Sequence, residues 1–306
     1  MKINKILLYH RLNLGDLVLA SPGVQWLKER YPDASIRLIT NDFSAKVARL
    51  IPEIDHIYDY RKFGNTSPSE ISQLWKARQW NPNLVFGVSN NFDRRLALRF
   101  LAFGKIKQQS YSNAPYHIAE RIAHGFGWRK QFILKPVKLL KPSIEKKYDL
   151  ILFISARKPS NRPTNKQILD VIKRLYKIHP NIKIGIFGTP KEPSSLAHKS
   201  DLDIKDELKA ELDNYNLRIN TPKIEEMISA LATSSSLITS DGGIAHISAG
   251  FNIPVVVLSG NVDIKAWRPY SNCAKSLQTE SQKVLDIDPE EIVLTWKSLI
   301  DDKKLL

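Results

Sequence analysis

The 306-residue chain has one cysteine, Cys273, and two methionines. A single thiol excludes an internal disulfide and suits a reducing compartment. No segment approaches the ~20 consecutive apolar residues that a membrane-spanning helix needs. The apolar run Ile6-Leu7-Leu8-Tyr9, although it follows a basic start, ends too soon for a secretory signal. We therefore expect a soluble, cytoplasmic protein. Several chemical signatures are also missing. No Gly-x-Gly-x-x-Gly follows a strand-like run, which argues against a dinucleotide-dependent dehydrogenase. No Walker pattern and no Gly-x-Ser-x-Gly elbow is present. The seven histidines never fall beside carboxylates or Cys273 at ligand spacing, so neither a metal nor a cofactor is expected.

Carboxylates are scarce in the first half. Residues 1–140 hold 22 Lys and Arg against 10 Asp and Glu, whereas residues 141–306 hold 24 against 21. Most of the net charge of +15 therefore belongs to the first half. Such a surplus fits binding to nucleic acid, attraction to an anionic membrane face, recognition of an anionic substrate, or solubility alone. The aromatic residues do not alternate with the basic ones as base-stacking platforms would, so nucleic acid is not expected.

What is present is alternation. Ile6–Tyr9, Ser35–Thr40, His56–Tyr58, Leu84–Gly87 and Lys107–Tyr111 read as strands. Between and after them, Leu17–Arg30, Ala45–Leu50, Ser67–Trp75, Asp93–Phe103 and Tyr116–Phe126 read as helices. Leu134–Lys147, with two prolines and five lysines, breaks the pattern and marks a boundary near residue 140. Alternation then resumes with strands at Asp149–Ile154, Ile182–Phe187, Ser236–Thr239 and Pro254–Leu258. The matching helices are Lys166–Ile178, Lys223–Thr233 and Pro289–Leu299. The expected class is α/β, with two parallel, helix-covered sheets in residues 1–140 and 141–306. In such sheets ligands bind beyond the carboxyl ends of the strands.

The chemistry-bearing residues collect at those ends. Ser240-Asp241-Gly242-Gly243-Ile244-Ala245-His246 lies between two strands. Its glycines admit close backbone approach, and the helix start that follows suits an anion such as phosphate. His246 stands one turn inside that helix as a core residue or a phosphate partner. The loop Ser155-Ala156-Arg157-Lys158, ahead of Arg162, is either a diphosphate-neutralising or a solvated basic loop. Gly260-Asn261-Val262-Asp263 would complete a nucleotide pocket or form an ordinary turn. In the first half, Asn13-Leu14-Gly15-Asp16 follows the first strand, and Asp16 is either a helix N-cap or a general base. Asp201-Leu202-Asp203 carries the bare Asp-x-Asp of metal-dependent sugar transferases, but its context is polar with no strand before it.

These segments, in this order, resemble glycosyltransferase family 9, the heptosyltransferases that build the lipopolysaccharide core. Ile6 to Pro22 looks like the family's opening strand and Gly-Asp turn. Arg30-Tyr31-Pro32-Asp33-Ala34 looks like the end of its first helix. Asp241-Gly242-Gly243-Ile244-Ala245-His246 is similar to its Asp-x-Gly-x-x-His signature, and Gly260 to Tyr270 to the segment that follows. The resemblance implies a GT-B fold, two Rossmann-like domains across a cleft, with the last helix packing back on the first domain. It implies metal-independent, inverting transfer of heptose from ADP-heptose. Asp16 would then be the general base. Asp241, Gly242, Gly243, His246, Arg157, Lys158, Gly260 and Asp263 would hold the donor. The acceptor would be an anionic glycolipid (lipopolysaccharide core and lipid A) at the inner face of the inner membrane, met by Asn13, Arg61, Lys62, Arg94, Arg95 and Arg121. Two departures fall in the donor segments: Gly242 stands where the family often has Thr, and Asn261-Val262 replace the usual Pro-Thr. The alternatives are a different nucleotide sugar, with a capsule or other glycan acceptor, or a weakened, donor-binding member.

Overall fold

The computed structural model describes residues 2–11, 13–61, 67–87, 92–102, 106–109, 116–156, 158–189, 208 and 210–304. The chain divides into two compact units, Met1–Leu140 and Lys141–Leu306. In the first, the described residues form five strands that alternate with five helices. They are β1 (Lys5–Tyr9), α1 (Leu14–Arg30), β2 (Ser35–Asn41), α2 (Asp42–Ala48), β3 (His56–Tyr60), α3 (Pro68–Gln79), β4 (Leu84–Gly87), α4 (Phe92–Leu101), β5 (Ile106–Gln109) and α5 (Ile118–Gly125). The sheet is parallel throughout, in the order β3-β2-β1-β4-β5.

The second unit holds β6 (Leu150–Phe153), α6 (Asn165–Ile178), β7 (Ile184–Phe187), β8 (Ile219–Asn220), α7 (Ile224–Ala232) and β9 (Leu237–Ser240). It continues through α8 (Gly243–Gly250), β10 (Val255–Leu258), α9 (Ile264–Trp267), β11 (Ala274–Leu277) and α10 (Pro289–Lys304). Its sheet is also parallel, in the order β11-β10-β9-β6-β7-β8. Read from the β8 edge, that is the doubly wound order 3-2-1-4-5-6. Each sheet has a switch point where the winding reverses, between β1 and β4 and between β6 and β9.

The central strands, such as Leu84-Val85-Phe86-Gly87 and Val255-Val256-Val257-Leu258, are buried at every residue. That is the signature of strands covered by helices on both faces. Helix α6 shows why the covering helices form. Ile168, Val171, Ile172 and Leu175 share one buried stripe, and the Thr164 hydroxyl accepts from the Gln167 N–H to cap the start. The buried Gln167 amide also donates to the carbonyls of Val284 and Ile287. Helix α10 packs on α6 and β10, with Trp296 Nε1 donating to Ser236 Oγ at 2.9 Å.

Three elements escape the sequence pattern. β8 has two residues, α9 has four, and β11 is a half-exposed edge strand of Ala-Lys-Ser-Leu. None is long enough for a hydrophobic period to emerge. Helix α1 also begins three residues before the expected Leu17, because Asn13 rather than a later residue is its cap.

Candidate functional site

In the second unit the loops that follow β6 and β9 leave adjacent strands at the switch point. Ser240 ends β9, and the Asp241 N–H donates to the Leu258 carbonyl at 3.0 Å, fixing the turn. Gly242 then caps α8 with φ 165° and ψ −178°, an extended backbone open to any residue. A Cβ built there meets nothing within 4 Å. The missing side chain therefore leaves space beside the helix start, and no backbone strain demands glycine. The first N–H groups of α8 lack helical acceptors, the arrangement that favours an anion. Ser240 Oγ is buried with no hydrogen-bond partner among the described residues.

Asp241 and Lys158 are brought together here. Burial raises the Asp241 carboxyl above its ordinary range, and the nearby Lys158 ammonium partly offsets that rise. His246, one turn into α8, is held inside the unit at 4% exposure. The β6 loop is shaped by its own bonds. Ser155 Oγ accepts from the Thr189 N–H at 2.7 Å, and Arg162 Nε donates to the Ala156 carbonyl at 2.8 Å.

The loop after β10 is packed against the loop after β6. A Cβ on Gly260 would sit 2.2 Å from Asn161 Oδ1 and 2.9 Å from its Cγ. Glycine is required there for that approach. Gln278 Nε2 donates to the carbonyls of Gly260 and Val262. Asp263 is committed locally: its Oδ1 accepts from the N–H groups of Lys265 and Ala266 and caps α9. Arg157 lies outside the described residues.

A cavity of about 660 Å³ also opens in this unit, lined by His179, Trp296, Lys146, Lys297, Asp149 and Asp301 among others. It lies at the amino-terminal edge of the sheet, away from the glycine turn. Chemistry and volume thus point to opposite ends. The candidate site is the carboxyl end, where the first N–H groups of α8, Lys158 and the half-buried Asp241 carboxyl come together. Among the described residues no group of three His, Cys, Asp or Glu side chains could hold a metal.

In the first unit, Asp16 is the third residue of α1, not its cap. Asn13 caps the helix, and its backbone N–H donates to Asp16 Oδ2 at 3.0 Å, as in a capping box. Asp16 is 9% exposed. Its backbone position comes from the turn that ends β1, next to the switch point.

Behind this turn lies a cluster that pattern reading passes over. Glu70, 1% exposed, accepts from the Tyr9 hydroxyl at 2.6 Å and forms an ion pair with Arg11 Nε at 3.3 Å. The buried Tyr60 adds its hydroxyl to the same electrostatic cluster. Burial, reinforced by the Glu70 charge, pushes the Tyr9 and Tyr60 hydroxyls well above their ordinary range. His10, fully buried, pairs through Nδ1 with Thr40 Oγ1 at 3.1 Å. A signal was available: Ser67-Pro68-Ser69-Glu70 reads as a capping box. Ser67 Oγ does accept from the Glu70 N–H, while the Glu70 carboxylate turns inward to β1. Of the other predicted residues, Asn13 and Arg61 are exposed at the ends of β1 and β3, and Arg121 is half-buried on α5. Lys62 lies outside the described residues, as do the side chains of Arg94 and Arg95.

Residues 179–296 match the family model described as Glycosyltransferase family 9 (heptosyltransferase). No curated protein sequence matches the chain. Among solved structures, ADP-heptose lps heptosyltransferase II of E. coli is similar with 18% identity and a TM-score of 0.78, over 98% of this chain and 99% of that one. A family 9 glycosyl transferase from Veillonella parvula is 17% identical, with a TM-score of 0.78 over 99% of each chain. E. coli heptosyltransferase WaaC, solved with ADP, is 11% identical with a TM-score of 0.75, over 96% of this chain and 99% of that one. At these identities the likeness establishes the fold: two Rossmann-like sheets of the GT-B class.

Proposed function

We propose that this chain is a heptosyltransferase-like glycosyltransferase of family 9, and that it transfers heptose from ADP-heptose to an anionic glycolipid acceptor with inversion. The donor diphosphate lies on the first turn of α8, with Lys158 adding a positive charge. Both favour the leaving diphosphate as the glycosidic bond breaks. Asp16 takes the proton from the acceptor hydroxyl as its oxygen attacks the anomeric carbon. The bond from the Asn13 N–H to Asp16 Oδ2 fixes the orientation of the carboxylate that takes that proton. His246 lines the same helix start. Asp241 suits a different task. A carboxylate beside a diphosphate repels it, whereas its oxygens can accept hydrogen bonds from sugar hydroxyls.

The observation that carries this reading is the Ser240–Gly243 turn at the switch point, with open space at Gly242 and Lys158 beside Asp241. The acceptor reading rests on the charge of the first half. WaaC has been solved with ADP-2-deoxy-2-fluoro heptose, which supports the choice of donor. The test is transfer from ADP-heptose by wild type and by Asp16→Asn, with ADP binding measured in parallel by calorimetry. We expect ADP affinity within twofold and turnover lower by at least ~10²-fold in the variant, in line with loss of a general base. Turnover at the wild-type rate would remove Asp16 from the mechanism. An unchanged rate with chelator present is expected for a metal-independent transfer.

A further inference from the structure

Residues 71–140 contain 12 Lys and Arg and only two carboxylates, Asp93 and Glu120. Within this stretch, α3 and α4 pack side by side. The exposed side of α3 carries two large apolar residues one turn apart, Ile71 (48% exposed) and Trp75 (54%). Residues four apart on a helix share one face, so the two form a stripe. The Trp75 ring meets Phe100 of α4 edge to face at 5.1 Å, which extends the stripe across both helices. Cations border it. Lys76 and Arg99 are exposed, and Arg78 lies over the Phe100 ring at 4.5 Å while donating to the Phe100 carbonyl at 2.6 Å.

We infer that this outer face of α3 and α4 docks on an anionic lipid surface. An exposed tryptophan and an aliphatic side chain ringed by cations match the bilayer boundary, where indole sits at headgroup level and basic residues meet lipid phosphates. Two other occupants fit less well. Ile71 offers nothing to a nucleic-acid base, and the edge of Trp75 is already covered by Phe100. A second copy placed face to face would oppose cation to cation.

The inference rests on the proposed function only in taking the acceptor to be membrane-borne. Its test involves no turnover, so each can fail alone. The full chain is sedimented with phosphatidylcholine vesicles, with and without about one third phosphatidylglycerol. We expect binding to the anionic vesicles and at least a tenfold weaker interaction with the neutral ones. Ile71→Ser with Trp75→Ala is expected to reduce binding at least tenfold with the melting temperature unchanged. Should that pair disturb the fold, Lys76→Glu with Arg99→Glu supplies the same test through charge. Binding that none of these substitutions alters overturns the inference. So does the absence of anionic-vesicle binding, a preference for single-stranded RNA over vesicles, or a dimer that the Ile71 and Trp75 substitutions dissolve.

Discussion

Removing the Glu70 carboxylate is expected to destabilise the first unit more than any other single polar change there. Glu70 is 1% exposed and its partner Arg11 side chain 11% exposed, so solvent screens the pair little. Glu70→Ala strands the guanidinium and the Tyr9 hydroxyl together, and breaking a buried pair from one side costs about 3–5 kcal/mol. For a unit of this size that lowers the melting temperature by roughly 10–15 °C. Glu70→Gln keeps an acceptor for Tyr9 but removes the charge, with a loss of about 1.5–3 kcal/mol. Replacing both partners, Arg11→Met with Glu70→Leu, is expected to recover most of that loss, because a well-packed apolar pair rivals a buried ionic one. The cluster also sets an alkaline limit. Tyr9 and Tyr60 titrate above their unfolded value of about 10, so their contribution is complete below that pH and is lost as pH rises beyond it. Near-ultraviolet circular dichroism follows the transition, and Tyr9→Phe should shrink the alkaline loss. A Glu70→Ala protein that melts within about 3 °C of wild type would refute the argument, since that corresponds to roughly 1 kcal/mol.

Asp241→Asn is expected to stabilise the unliganded protein at neutral pH. The folded carboxyl titrates above its unfolded value, so its favourable contribution exists only below about pH 4 and becomes a cost as pH rises. Melting curves at pH 4 and pH 7 check this, and equal stability of the two proteins at pH 7 would contradict it. Gly242→Thr places its side chain in open space at an N-cap with extended backbone, so a gain of about 0.5–1 kcal/mol is expected. Urea unfolding measures it, and a loss would mean that the space is filled. Gly260→Ala drives a methyl into Asn161 and is expected to cost about 1–3 kcal/mol and to weaken ADP binding. Asn161→Ala in the same chain should restore part of the stability.

The layered α/β plan was legible because buried parallel strands are continuous apolar runs and their helices carry a 3.6-residue stripe. Val255–Leu258 and α6 announce themselves in this way. The sheet order was not legible from those runs. Whether β6 lies beside β9 is decided by crossover handedness and packing, which short apolar tetrapeptides do not encode. The same limit hid β11, whose half-exposed Ala-Lys-Ser-Leu satisfies an edge without a hydrophobic period. Boundaries shifted where a cap could be assigned in two ways. Asp16 and Asn13 are both good caps, and the three-residue reach from Asp16 back to the Asn13 N–H decided the start of α1.

Site residues divide along a related line. The turn at Asp241–Gly243 was legible because a glycine turn between two strands has a local signature. The effect of the glycines was not local. Gly260 is required by the side chain of Asn161, 99 positions earlier in the sequence, whereas Gly242 is required by nothing around it. Asp263 has the residue type of a ligand contact, yet it serves as a cap for a four-residue helix that no period could reveal. Glu70 shows the converse. Its sequence context assigns its carboxylate to a helix start, but the Tyr9 hydroxyl and the Arg11 guanidinium at the end of β1 offer buried partners instead. A charged group in a dry interior gains more from such a pair than from an exposed backbone N–H, so tertiary contact overrides the local motif. Side chains with two uses of this kind are where local reading fails.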